Sequence, residues 1–110
     1  MAEILELLRT RRSVRQYTGE KITAEALKQI VSAALLAPSG HSKYPCEFIV
    51  VQDAATLEKM SHCRVNVAKM LTGAAAAVVV IADREKSDTI VEDCSVAMMN
   101  MEIAATALGI

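Results

Sequence analysis

The chain is predicted to fold as an α+β domain, and three observations carry that prediction. Two apolar runs, Phe48-Ile49-Val50-Val51 and Val78-Val79-Val80-Ile81, are short and β-branched, as strands buried on both faces are. Helical periodicity occupies most of the sequence around them. The last element, from about Asp88 to Leu108, reads as one long helix with apolar residues on every side.

Taken in order, residues 2–11 read as a helix with Ile4, Leu5, Leu7 and Leu8 on its apolar side. Tyr17-Thr18-Gly19 makes a turn, and Thr23 is expected to cap a second helix. Ala26 stands at the third helical position, so the capping box is incomplete. That helix runs to about Leu36, burying Leu27, Ile30, Val31 and Ala34, and Ala37-Pro38-Ser39-Gly40 stops it. A polar loop from Ser39 to Pro45 leads into the first strand, Glu47 to Val51. Asp53 begins a third helix with Leu57 and Met60 facing inward, and Ser61 to Thr72 reads as another short helix. Ala74 to Ala82 is the second buried strand, and Asp83 to Asp88 a charged loop.

In the final helix Ile90, Cys94, Ala97, Met101, Ala104 and Leu108 form one stripe, while Val91, Val96, Met98, Ile103 and Ala105 fill the other sides. A helix apolar all round is buried all round, and 110 residues supply too little of their own surface to cover it. A partner subunit is therefore expected. Gly109 terminates the helix. Two strands are few for a complete sheet, so the chain reads as cut short, with strand edges left unprotected.

Composition narrows the function. One domain, residues 1–110, should bury roughly two-thirds of its unfolded surface. With 53% apolar and 3% aromatic residues the interior is aliphatic. A net charge of −1 and the lack of aromatics among the arginines argue against nucleic-acid binding. Cys46, Cys63 and Cys94 show no metal or disulfide spacing and are expected to be free thiols in a reducing compartment. Neither a secretory leader nor a bilayer-spanning run is read, so a cytoplasmic protein is expected, without a membrane partner. Asp93, Glu92 and Glu102 form no metal cluster by spacing, and His62 and Cys63 are adjacent, so they do not make a dyad.

The stretch most charged with chemistry is Arg11-Arg12-Ser13-Val14-Arg15, three guanidinium groups and a hydroxyl where a helix gives way to a turn. Guanidinium donates paired charge-assisted hydrogen bonds and so suits a phosphate, with Ser13 as a neutral donor. A solvated basic face is the other reading of such a run.

Three stretches together resemble the FMN-dependent nitroreductase family. Arg11-Arg12-Ser13-Val14-Arg15-Gln16-Tyr17 is similar to the family's opening motif, and Ala37-Pro38-Ser39-Gly40-His41-Ser42-Lys43-Tyr44-Pro45-Cys46-Glu47-Phe48 to its Ala-Pro-Ser loop. Asp93-Cys94-Ser95-Val96-Ala97 through Ala104-Ala105-Thr106-Ala107-Leu108-Gly109 resembles its long central helix. The resemblance implies a three-layer α/β/α fold with a central sheet and a long dimer-interface helix, with the C-terminal part of the family domain absent.

It also implies a site. Arg11, Arg12 and Ser13 match positions at the FMN phosphate and ribityl chain, and Arg15 the cation near the pyrimidine edge of the flavin. There a positive charge would stabilise the reduced ring. A surface ion pair is the alternative for Arg15. Pro38, Ser39 and Ser42 match the loop that reaches a flavin held mainly by the other subunit, Ser42 standing where asparagine is usual. Tyr44 and Cys46 replace glutamine and tryptophan. Asn66 falls where some members place an amide on the ring edge, or else is a helix-start residue. His41 is an exposed loop residue or a substrate contact.

The activity implied is that of a homodimeric oxidoreductase, with NAD(P)H as transient reductant and nitroaromatic or quinone-type acceptors, by hydride transfer in two steps. No protein nucleophile or metal is required, and no dinucleotide fingerprint follows either strand. The alternatives are a truncated scaffold that dimerises without flavin, and an unrelated α+β domain that binds an anion through the arginines.

Overall fold

Each helix is set by local chemistry. The computed structural model describes residues 2–66 and 68–110. Helix α1 spans Ala2–Thr10, α2 Ala24–Leu35, α3 Ala54–Met60 and α4 Ile90–Ala107. Strands β1, Cys46–Val51, and β2, Ala77–Ala82, pair in a two-stranded sheet. Short 3-10 turns occupy Gly40–Ser42 and Lys69–Gly73.

Thr23 caps α2, its Oγ1 accepting the Ala26 N–H at 3.1 Å. Asp53 caps α3, its Oδ2 accepting from the Thr56 N–H at 2.9 Å and the Thr56 hydroxyl at 2.7 Å. Those two bonds hold the Asp53 carboxyl below its usual range. Helix α4 ends as Gly109 swings to φ 76°. The Gly109 N–H then donates to the Thr106 carbonyl, and the Ile110 N–H to the Ala105 carbonyl at 3.0 Å, the paired closure of a Schellman motif.

The residues form two compact units. The first holds residues 1–12, 23–48 and 80–110. In it α2 packs along α4, and Ile30 and Ala34 on α2 and Ala97 and Met101 on α4 are buried. The alanines leave room for close approach, and the Asn100 Nδ2 donates across to the Ala33 carbonyl at 2.9 Å. Helix α1 also touches α4. The second unit holds residues 13–22 and 49–79, where α3 packs on the 3-10 turn at Lys69–Gly73 around the buried Leu57.

The structure corrects several expectations of burial and extent. The strands are not covered on both faces: Ile49 is 47% exposed, and Val50 and Ile81 are exposed as well. Among the described residues, two strands and the helices are there to shield them. Helix α4 is not buried all round, with Val91 71% and Met98 56% exposed. On α1, Ile4, Leu5 and Leu8 are exposed and Leu7 is half-buried. Apolar periodicity reports the surroundings a segment is suited to, and these faces exceed what this chain covers. Among the described residues, the helix expected over Ser61 to Thr72 reduces to turns, bends and the 3-10 segment at Lys69–Gly73, residue 67 lying outside them. Among the described residues no helix is long and apolar enough to cross a membrane.

Candidate functional site

The loop after α2 is built around a carboxylate from α4. Asp93 is 5% exposed, in the first turn of that helix. Its Oδ2 accepts the Ser39 hydroxyl at 2.6 Å, and its Oδ1 accepts the Gly40 N–H at 3.2 Å and the Thr89 hydroxyl at 3.3 Å. The Ser39 hydroxyl, the Gly40 amide and the Thr89 hydroxyl hold the Asp93 carboxyl below its usual range, against the opposing effect of burial. Ser39 Oγ in turn accepts the Tyr44 N–H at 2.9 Å. One hydroxyl thus ties the start of the loop to its end and both to α4.

That anchoring offsets an unfavourable backbone. His41, Ser42 and Tyr44 have φ of 54°, 54° and 48°, in the left-handed region that costs a non-glycine residue about 1–2 kcal/mol. Gly40 is required by packing. A Cβ there would lie 3.1 Å from both the Cβ and Cγ2 of Thr89 and closer still to its Oγ1. Turning the Thr89 side chain leaves its Cβ at 3.1 Å.

Below the loop, Pro38, Ser39, Tyr44, Pro45, Cys46 and Asp93 border a cavity of about 60 Å³. Ligand pockets are typically about 300–1,000 Å³, so a flavin ring does not fit inside it. Pro38 and Ser42 are exposed above, where a ring would have to lie against the loop. Cys46 and Cys94 meet with their sulfurs 3.4 Å apart. Burial, then the contact with Cys94, and the charge of Asp93 push the Cys46 thiol up to about 11.

The arginine stretch is arranged differently. The Arg12 Nη1 folds back over the end of α1 and donates to the carbonyls of Arg9, Thr10 and Arg11 at 3.2, 3.0 and 2.8 Å. These are carbonyls that a helix C-terminus leaves without partners. The Arg11 Nη1 lies 3.4 Å from the Glu102 Oε1, both side chains more than a third exposed. The Arg15 Nη1 donates to the Ser13 carbonyl at 3.5 Å. Arg12, Ser13 and Arg15 are exposed. All these bonds are to carbonyl oxygens or to one half-exposed carboxylate, so the donor set is chemically suited to an anion such as the FMN phosphate.

Of the residues singled out by sequence, Arg11, Arg12, Pro38, Ser39 and Ser42 lie in the first unit, and Ser13, Arg15 and Asn66 in the second. Asn66 is exposed in a turn at φ 62°, where asparagine is better tolerated than most residues, and does not start a helix. His41 is exposed. Sequence reasoning missed Asp93, Thr89 and the Cys46–Cys94 contact. The one available signal for Asp93 was a carboxylate early in an otherwise apolar helix, four residues after a threonine.

Residues 8–69 match the Nitroreductase family. A protein of Archaeoglobus fulgidus named "Putative NADH dehydrogenase/NAD(P)H nitroreductase" is 44% identical over 114 residues, covering 100% of this chain and 65% of that protein. Among solved structures, an FMN-dependent nitroreductase from Clostridium difficile R20291 superposes with a TM-score of 0.93 at 40% identity, covering 96% of this chain and 61% of the other. A nitroreductase with bound FMN from Bacteroides fragilis gives a TM-score of 0.82 at 30% identity, covering 97% and 66%. The chain therefore spans less than two thirds of the length of these relatives.

Proposed function

The chain belongs to the nitroreductase family, and from that premise we propose that it is, or is part of, an FMN-dependent oxidoreductase that uses NAD(P)H to reduce nitroaromatic or quinone-type acceptors. The observation that carries this reading is the family's arginine motif with its guanidinium donors held only by local carbonyls and one half-exposed carboxylate. Relatives of 30–40% identity that bind or depend on FMN support it.

In this reading Arg11 and Arg12 leave their present acceptors for the FMN phosphate, and Ser13 donates beside them. Arg15 holds a positive charge at the pyrimidine edge of the ring, where negative charge accumulates on reduction. Pro38 and Ser42 present the rigid loop to the ring, while Ser39 and Asp93 hold that loop in place. Asn66 offers its amide to the ring edge. Bound FMN supplies the two-electron relay between nicotinamide and acceptor, so no protein nucleophile is needed. The exposed apolar residues of α1 and α4 form the surface through which two copies associate as a homodimer. Nicotinamide as reductant and unpaired thiols suit the cytoplasm.

The test is NAD(P)H oxidation by the purified chain with added FMN, with a nitroaromatic or quinone acceptor. Acceptor-dependent turnover above that of free FMN is expected, reduced by Arg15→Ala. Turnover equal to free FMN with every acceptor would overturn the assignment for this chain.

A further inference from the structure

Two thiols 48 residues apart in sequence meet beneath the Ser39–Tyr44 loop, one in β1 and one in α4. Both are half-buried, so a small oxidant reaches them and a protein thiol does so poorly. Cys46 follows Pro45, whose side chain is fully buried, and closes the loop. Cys94 follows Asp93, which anchors the start of the same loop through Ser39 and Gly40.

We propose that Cys46 and Cys94 are a redox-active dithiol that closes to an intramolecular disulfide, locking the end of the loop to α4 as Asp93 holds its beginning. The sulfurs need to approach by about 1.4 Å to reach bonding distance, a movement on the scale of side-chain rotation. The oxidant is a peroxide. One thiol loses its proton and attacks the peroxide O–O bond, becoming a sulfenic acid as hydroxide leaves and takes up that proton as water. The neighbouring thiol attacks that sulfur and loses its proton, the S–S bond forms, and the hydroxide that departs takes up that proton as water. Two thiols are oxidised by two electrons, and one peroxide is reduced to two waters. The inference stands apart from the flavin reading, since it uses neither the arginines nor a cofactor.

Cys63 is exposed and would add intermolecular products, so the experiment uses the full chain carrying Cys63→Ser. The protein is treated with hydrogen peroxide, alkylated without reduction, and mapped by mass spectrometry. The expected product has lost the mass of two hydrogens, joins the Cys46 and Cys94 peptides within one chain, and returns to the dithiol on reduction. Tryptic cleavage after Lys43, inside the loop, is expected to slow several-fold in the oxidised form and recover on reduction. Recovery of both cysteines as alkylated thiols, as sulfinic or sulfonic acids, or in links between chains would overturn the disulfide. An unchanged rate of cleavage after Lys43 in the linked form would overturn the locking of the loop.

Discussion

The loop from Pro38 to Pro45 and the stretch from Arg11 to Arg15 are built in opposite ways. The loop is fixed by a buried carboxylate more than 50 residues away, which engages a hydroxyl and an amide and keeps three non-glycine residues in left-handed backbone. The arginines are held mostly by carbonyls one to three residues away, in bonds exposed to water. The loop is pre-formed and resists change. The arginines can exchange partners at little expense, because water solvates the carbonyls they release. In the proposed reading, the loop supplies shape and the arginines supply charge for an arriving anion.

The largest effect that would sharpen this contrast is on binding. Replacing Arg11 and Arg12 together by alanine removes two charge-assisted contacts worth about 1.5–3 kcal/mol each. FMN affinity should fall by about a hundredfold or more, measured by flavin fluorescence titration, while the unfolding midpoint moves little.

The loop should behave in the reverse manner. Gly40→Ala forces a methyl into Thr89 and should destabilise by about 1–3 kcal/mol in urea unfolding. Adding Thr89→Ala removes two of the three crowding atoms and should recover part of that loss. No recovery would mean that the strain lies in the backbone and not in this contact.

Acid should act on the loop through Asp93. Its folded value is depressed, so the stabilisation it provides is complete above the ordinary carboxylate range and fades as pH falls through the lower folded value. Unfolding curves from neutral pH to below about pH 4 should converge for the parent chain and Asp93→Asn. Asp53, shifted in the same direction, supplies the control through Asp53→Asn.

A smaller effect is expected at Ser42, held at φ 54°, where asparagine is better tolerated than serine. Ser42→Asn should stabilise by up to about 1 kcal/mol, seen as a raised unfolding midpoint. The smallest concerns Glu102. Its pair with Arg11 is more than a third exposed on both sides, so Glu102→Gln should change stability by less than about 1 kcal/mol. A larger loss in thermal unfolding would show that Arg11 is structurally committed, and would break the contrast between the two regions.

What was legible in the sequence follows the range of the interactions. Thr23, Asp53 and Gly109 mark helix ends because a cap acts within a few residues of itself. The arginine motif was legible for the same reason. Asp93 was not, because its partners lie 53 and 54 residues away and a single carboxylate in a helix carries no periodic signal. The thiol contact was hidden likewise, since spacing rules for cysteine describe local metal sites and not a strand meeting a helix. Burial was overestimated where apolar residues face outward from this chain. Val91 and Met98 have the composition of a covered surface, and this chain leaves them uncovered.

Arg11 to Arg15 of one copy and the Pro38 to Ser42 loop of the other are proposed to receive FMN together. The most direct measurement is a titration of FMN with the purified chain, read by flavin fluorescence and followed by size-exclusion chromatography with detection in the visible flavin band. Saturable quenching, with yellow colour eluting with the protein, is the predicted result. Unquenched fluorescence and a colourless protein peak would contradict the claim.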